Sequence, residues 1–253
     1  MSATASLLET VAQLEPRPAR WRIGLIVLAT DHTTERDFAT LCPNADLAIY
    51  TNRVAFENPA TKKNLLAMRP RLTAAAGLIL PGESLDAVAY GCTAASALIG
   101  DRAVCEAIRK AKPGVPVVTP TSAAIDAFAT LGAARVSLLT PYSQTVTDAL
   151  VRYFEDNGLE ILNAVCLGLT DDRAIAQVRP DTILDAAIEA CDSACEALFI
   201  SCTALRAVSV AQTVEDRLGL PVVTSNQAMF WRTIRQAGCN FSVSGAGRLL
   251  QSH

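Results

Sequence analysis

At 253 residues and 51% hydrophobic content the chain has enough apolar material for one large core or two moderate ones, which excludes an intrinsically disordered protein. Its 22 basic and 25 acidic residues leave a formal charge of −3 with no long block of either sign, so neither nucleic acid nor an anionic membrane surface is expected as a partner. Every apolar run is broken by Gly, Pro or a charge before the ~18 residues a bilayer requires, and the opening "MSATASLLETVAQLEPRPARW" lacks the basic start and apolar centre of an export signal; a soluble, cytoplasmic protein is expected.

Taken in chain order, short β-branched and Leu-rich runs alternate with Ala-rich amphipathic stretches. The runs "RIGLIVLA", "LAIYTNRVAF", "AVAYGC" and "VPVVTP" come first, followed by "RVSLLTPY", "LNAVCLGL", "ALFISC" and "LPVVTS". Continuous apolar runs bounded by turn residues suit strands buried on both faces, and segments such as "TDALVRYFEDNG" and "SVAQTVEDRLG" suit helices closed near Gly158 and Gly219. The pattern predicts an α/β fold with parallel sheets.

The two halves repeat each other. "RIGLIVLA" answers "RVSLLTPY", "DAVAYGCTAAS" answers "EALFISCTALR", and "GVPVVTPTSAAI" answers "GLPVVTSNQAMF". The same order at nearly the same spacing predicts an internal duplication, with two similar domains related by a pseudo-twofold axis across a cleft. The expected limits are 20–118 and 119–223, with a segment 224–253 that packs back on the first domain.

The repeat places Cys92 and Cys202 at equivalent points, each following an apolar strand, where ligands bind in open parallel sheets. Each thiol is expected at the start of a helix, with a lowered pKa, and the following Thr93 and Thr203 add hydroxyls and backbone N–H groups suited to a substrate carboxylate. Two such thiols could approach a ligand from opposite faces, one taking a proton while the other delivers one, or one could add to a double bond. The remaining cysteines read as reduced thiols. Cys105, Cys191, Cys195 and Cys239 suit packing on helix faces, and with only His32 and His253 available the Cys191/Cys195 pair lacks the further ligands of a zinc site. His32 reads as a loop or capping residue. No nucleotide fingerprint occurs, and neither cofactor nor metal is expected.

Through "IGLIVLATDHTTERDF", "YGCTAAS", "PVVTPTSAAIDAFATLGAARVSLLTPY", "ISCTALRA" and "GLPVVTSNQAMFW", over about residues 20–250, the sequence resembles the aspartate/glutamate racemase superfamily, and within it the branch of maleate cis-trans isomerase and arylmalonate decarboxylase. The resemblance implies two Rossmann-like, flavodoxin-like domains with the active site between them, cofactor-independent chemistry, and commonly a homodimer. It also implies that decarboxylases keep one catalytic cysteine whereas racemases and the maleate isomerase keep two, so the pair in this chain favours isomerisation or racemisation. "LATDHTTERDF", "NRVAFENPAT", "LGLTDDRAIAQV" and "FISCTALRA" are further similar to the ectoine-utilisation group, which implies a small carboxylate ligand such as a diaminobutyrate derivative.

Carried onto this chain, the resemblance makes Cys92 the thiolate on one face and Cys202 its partner, with Tyr142 contacting substrate. Asp31 falls where the maleate isomerase has a carboxylate-binding asparagine. A carboxylate there would repel a dicarboxylate and could receive an ammonium; equally, it could cap the helix that follows. Arg206 and Arg53 are candidates to clamp a carboxylate. Thr119, Ser122, Ser225 and Asn226, at the ends of the fourth strands, are placed near the domain seam or as helix caps. The leading expectation is an isomerase or racemase. The alternatives are a non-catalytic sensor of a catabolite and a malonate-type decarboxylase.

Overall fold

A computed structural model of the chain describes residues 3–42 and 44–253. The first half contains β1 (Trp21–Leu28), α1 (Thr34–Leu41), β2 (Leu47–Val54), α2 (Lys62–Leu66), α3 (Leu72–Gly77), β3 (Ala87–Gly91), α4 (Thr93–Ile99), α5 (Asp101–Arg109), β4 (Val117–Val118) and α6 (Pro120–Leu131). The second contains β5 (Arg135–Thr140), α7 (Gln144–Asp156), β6 (Glu160–Cys166), α8 (Asp172–Gln177), α9 (Pro180–Ala190), β7 (Ala197–Ile200), α10 (Ala211–Leu218), β8 (Val222–Thr224), α11 (Ser225–Gln236) and α12 (Gly247–Ser252).

The strands form two four-stranded parallel sheets of identical order, β2-β1-β3-β4 and β6-β5-β7-β8. The central strands are apolar and buried along their length, as both-face coverage by helices demands. Helix ends follow the sequence signals: α10 stops at Gly219, which takes the left-handed conformation (φ 71°) that a Cβ would disfavour. No helix among the described residues is long and apolar enough to cross a membrane.

Each half lends its last helix to the other. The helix α6 follows the first sheet, but its Phe128 meets Phe199 of β7 at 6.0 Å between ring centroids. The helix α11 follows the second sheet and packs on β3 and α1, where Phe230 meets Phe38 edge-on at 5.2 Å. The two exchanged helices also pack on each other along the seam. The last helix, α12, instead rests on β8 and α10 of the second half, so the segment 224–253 does not pack on the first domain as a whole. The physical reason is a pair of acceptors on α10: Gln212 takes the Gly247 N–H at 3.1 Å and Glu215 takes the Arg248 N–H at 2.9 Å.

Candidate active site

The carboxyl ends of β3 and β7 meet at the seam, bringing Cys92 and Cys202 within electrostatic reach of each other, both buried. They are held differently. Cys92 is the extended N-cap residue of α4, with the Ala95 N–H directed at its sulfur. Cys202 is not at a helix start: residues 202–206 are an irregular loop, and Cys202 itself has φ +97°. The expected helix fails there because its first carbonyls are taken by other partners. Thr203 O accepts from Asn226 Nδ2 at 2.8 Å, and Ala204 O accepts from Thr33 Oγ1 at 2.7 Å. The loop amides of Ala204 and Leu205 turn toward the Cys202 sulfur instead.

The expected lowering of both thiol pKa values is overturned by burial. Desolvation raises Cys92 well above its ordinary range and Cys202 to about 12, and the neighbouring Asp172 carboxylate pushes both further. Burial thus opposes ionisation of both thiols. The backbone amides, and the Tyr142 hydroxyl near the Cys202 sulfur, act in the opposite sense and favour a thiolate once one forms.

The other expected site residues divide. Thr93 donates to Ser225 Oγ at 2.8 Å, the same oxygen that accepts the Cys202 N–H at 3.0 Å, while Thr203 donates to Gly91 O at 3.2 Å. These hydroxyls therefore lock each half's cysteine segment to the other half. Asn226 joins that lock, donating to Asp37 at 2.7 Å as well as to Thr203 O, and its buried Oδ1 has no partner. Asp31 caps α1: its carboxylate accepts from the amides of Thr33 and Thr34, both at 2.8 Å, and from the Thr34 hydroxyl at 2.7 Å.

Thr119 and Ser122 are not brought to the cysteines. They form a reciprocal capping box at the start of α6, and Thr119 and Thr121 donate to Asp101, which also accepts from Tyr153. Their counterparts in the second half, Thr224 and Gln227, form the same capping box at the start of α11; Ser225 and Asn226, which do reach the site, stand where the first half has Pro120 and Thr121. Arg53 is tied to Leu28 O, Asp31 O and the Glu35 carboxylate, bracing the turn after β1. Arg206 donates to Val178 O at 2.7 Å and, with His32, lines a neighbouring cavity whose walls include neither cysteine.

Two functional candidates have no counterpart in the sequence reading, Asp172 and Asp37. Asp172, at the start of α8, accepts from Thr30 Oγ1 at 2.6 Å, and burial raises it to about 6. Asp37, on the first turn of α1, is raised by burial to about 7, with Asn226 opposing the shift. An acid in a helix's first turn is the common way to match the helix dipole, so neither stands out as a sequence feature.

The raised Asp37 value sets a pH dependence. The native state retains a proton that the unfolded chain releases near 3.8, so this group's contribution to stability falls as pH rises from about 4 to about 7 and stays low above. Asp37→Asn, which removes the buried charge, is expected to match wild type in urea unfolding near pH 4 and to exceed it by about 2–4 kcal/mol at pH 8. Equal midpoints at pH 8 would contradict the burial of this carboxylate.

Two duplicated parallel-sheet domains, with a buried cysteine on each side of their seam, define the class of α/β protein to which the chain is to be compared. Residues 75–250 match the family model described as arylmalonate decarboxylase, and the chain belongs to that family. It is 23% identical over 245 residues to a maleate isomerase of Geobacillus stearothermophilus, covering 91% of this chain and 97% of that one. It is 33% identical over 150 residues to the arylmalonate decarboxylase of Bordetella bronchiseptica, covering 58% and 62%. Among solved structures, the Nocardia farcinica maleate cis-trans isomerase with a covalently bound succinylcysteine intermediate superposes with a TM-score of 0.85 at 24% identity, over 92% of this chain and 99% of that one. A liganded mutant of arylmalonate decarboxylase superposes at 0.84 with 28% identity, over 92% and 100%.

Proposed function

We propose that the protein is a cofactor-independent isomerase or racemase acting on a small carboxylate, with Cys92 and Cys202 working from opposite faces of the substrate. The observation that carries this reading is the placement of two buried thiols at equivalent strand ends of two duplicated sheets, each with backbone amides turned toward its sulfur. In racemisation, one cysteine as thiolate takes the proton from the carbon beside the carboxylate, becoming a thiol, and the opposing thiol returns a proton to the other face, becoming the thiolate. In cis-trans isomerisation, a thiolate adds to one alkene carbon, the remaining single bond rotates, and elimination restores the alkene and the thiolate. The succinylcysteine in the maleate isomerase relative supports the second route for substrates with a double bond.

The substrate class follows from charge. Asp172 and Asp31 both oppose thiolate formation at Cys92, and neither candidate arginine is directed at the cysteines: Arg53 binds Asp31 O, and Arg206 binds Val178 O and lines the neighbouring cavity. A cleft with this balance suits a substrate that brings an ammonium as well as a carboxylate, which favours a diamino acid of ectoine breakdown over maleate. Asp172 takes the ammonium in this reading, since both Asp31 oxygens already serve the α1 cap. The match to the arylmalonate decarboxylase model keeps loss of carbon dioxide from a malonate as the second reading.

The test is solvent deuterium incorporation, followed by NMR with aspartate, glutamate, maleate, diaminobutyrate and its acetyl derivatives. Exchange at Cα of a diamino acid is the expected result. Conversion of maleate to fumarate without such exchange would replace proton transfer with covalent addition and remove the argument for an ammonium. Tight binding with no reaction across the panel would make the protein a sensor, and carbon dioxide release from a disubstituted malonate would make it a decarboxylase.

A further inference from the structure

The loop from Cys202 to Arg206 has two sides. Its first residue belongs to the cleft, while its last reaches a cavity of about 580 Å³, a size that suits a small organic ligand. The cavity is bounded by α1, by Ala176 of α8 and Pro180 of α9, by Val208 and Ser209 beyond the loop, and by residues 243–246. Two guanidinium groups on its wall have donors to spare. The Arg36 side chain makes no hydrogen bond among the described residues; its carbonyl accepts from the Thr40 hydroxyl at 3.0 Å, and its charge acts on the neighbouring Asp37. Arg206 donates from Nη2 to Val178 O at 2.7 Å and to Gln177 O at 3.5 Å, and its buried Nε–H has no partner among the described residues. One carboxylate, Asp37, shares the wall, but its Oδ2 is occupied by Asn226, so the cavity keeps an excess of positive donors.

We propose that this cavity is a second ligand site, taking a small dianion, carboxylate or phosphate, between Arg36 and Arg206, and that its occupancy sets the position of the Cys202 loop. Planar guanidinium groups with unused N–H bonds are suited to paired contacts with such oxyanions. Transmission needs no long path. Only three residues separate Arg206 from Cys202, and the cavity residues Thr33 and Asp37 hold the loop between them, Thr33 through Ala204 O and Asp37 through Asn226 and Thr203 O. A ligand that draws Arg206 from Val178 O therefore pulls on the segment that carries the second thiol.

The existence of this site does not depend on the reaction proposed above, because binding is read directly. Calorimetric titration of the full chain with succinate and, separately, with inorganic phosphate is expected to give saturable binding of at least one, weakened about tenfold or more by Arg36→Ala. Succinate alone would mark a carboxylate ligand and phosphate alone a phosphate ligand. Bound ligand should also change the rate at which iodoacetamide labels Cys202, followed by peptide mass spectrometry, by about twofold or more, and Arg36→Ala should abolish that change while leaving Cys92 labelling as it is. Absence of saturable binding by both probes overturns the site. So does binding that Arg36→Ala leaves intact and Tyr142→Phe removes, which would place the ligand in the cysteine cleft. Binding with no effect on Cys202 labelling overturns the coupling.

Discussion

Serine at either Cys92 or Cys202 is expected to lower turnover by about a thousandfold or more while leaving the fold in place. The change exchanges one buried atom for a slightly smaller one, and both positions are enclosed by contacts that a hydroxyl also satisfies, so urea midpoints should stay within about 1 kcal/mol of wild type. Reactivity is another matter. A thiol already raised by burial is still far easier to ionise than a serine hydroxyl, and the amides of Ala95, Ala204 and Leu205 are directed at a larger, softer anion. The two variants should also differ from each other. If one cysteine adds to the substrate and the other only handles a proton, the adduct forms in one variant alone, visible as a mass increase equal to the substrate. Full activity in either variant would sink the paired-thiol reading.

Phe199→Ala should cost about 3–5 kcal/mol, the largest loss of stability expected from a single truncation in the core. Its ring lies in β7, wholly buried, and meets Phe154 of α7 at 5.3 Å and Phe128 of α6 at 6.0 Å, both edge-on. These contacts join the second sheet to a helix of its own half and to the helix it receives from the other, so the cavity left by alanine opens where three elements converge. β7 ends immediately before Ser201 and Cys202, so loosening it should also lower activity below what the lost stability alone predicts. Urea unfolding gives the first quantity and turnover at low temperature, where the variant is folded, gives the second. A loss under about 1 kcal/mol would mean that Phe128 and Phe154 close over the gap.

The architecture was legible because it is written twice. Repeated apolar runs with cysteine and threonine at matching points pointed to a duplicated α/β fold; the strand order and the exchange of the two helices come from the structure. What was hidden is where the halves differ. Nothing in "SCTALR" distinguishes it from "GCTAAS" as a helix start; the difference lies in Asn226, Thr33 and Thr34, distant in sequence, which compete for its carbonyls. Thr119, Ser122, Ser225 and Asn226 read alike as seam residues or helix caps at the ends of the fourth strands; the first two are caps, held by their own capping box and Asp101, and the last two reach the seam. Burial, which governs the thiols and Asp37 and Asp172 alike, is a property of the assembled seam and has no local signature.

The exchanged helices carry a consequence for how the molecule comes apart. A half ending after β4 would leave bare the face of β3 that α11 covers, and the remaining half would keep α6 against α11 but lose the β3 and α1 surfaces on which α11 also packs. Neither half is a self-sufficient folding unit, although each has a complete sheet. Unfolding is therefore expected as a single event spanning both sheets, with one transition by every probe of either half.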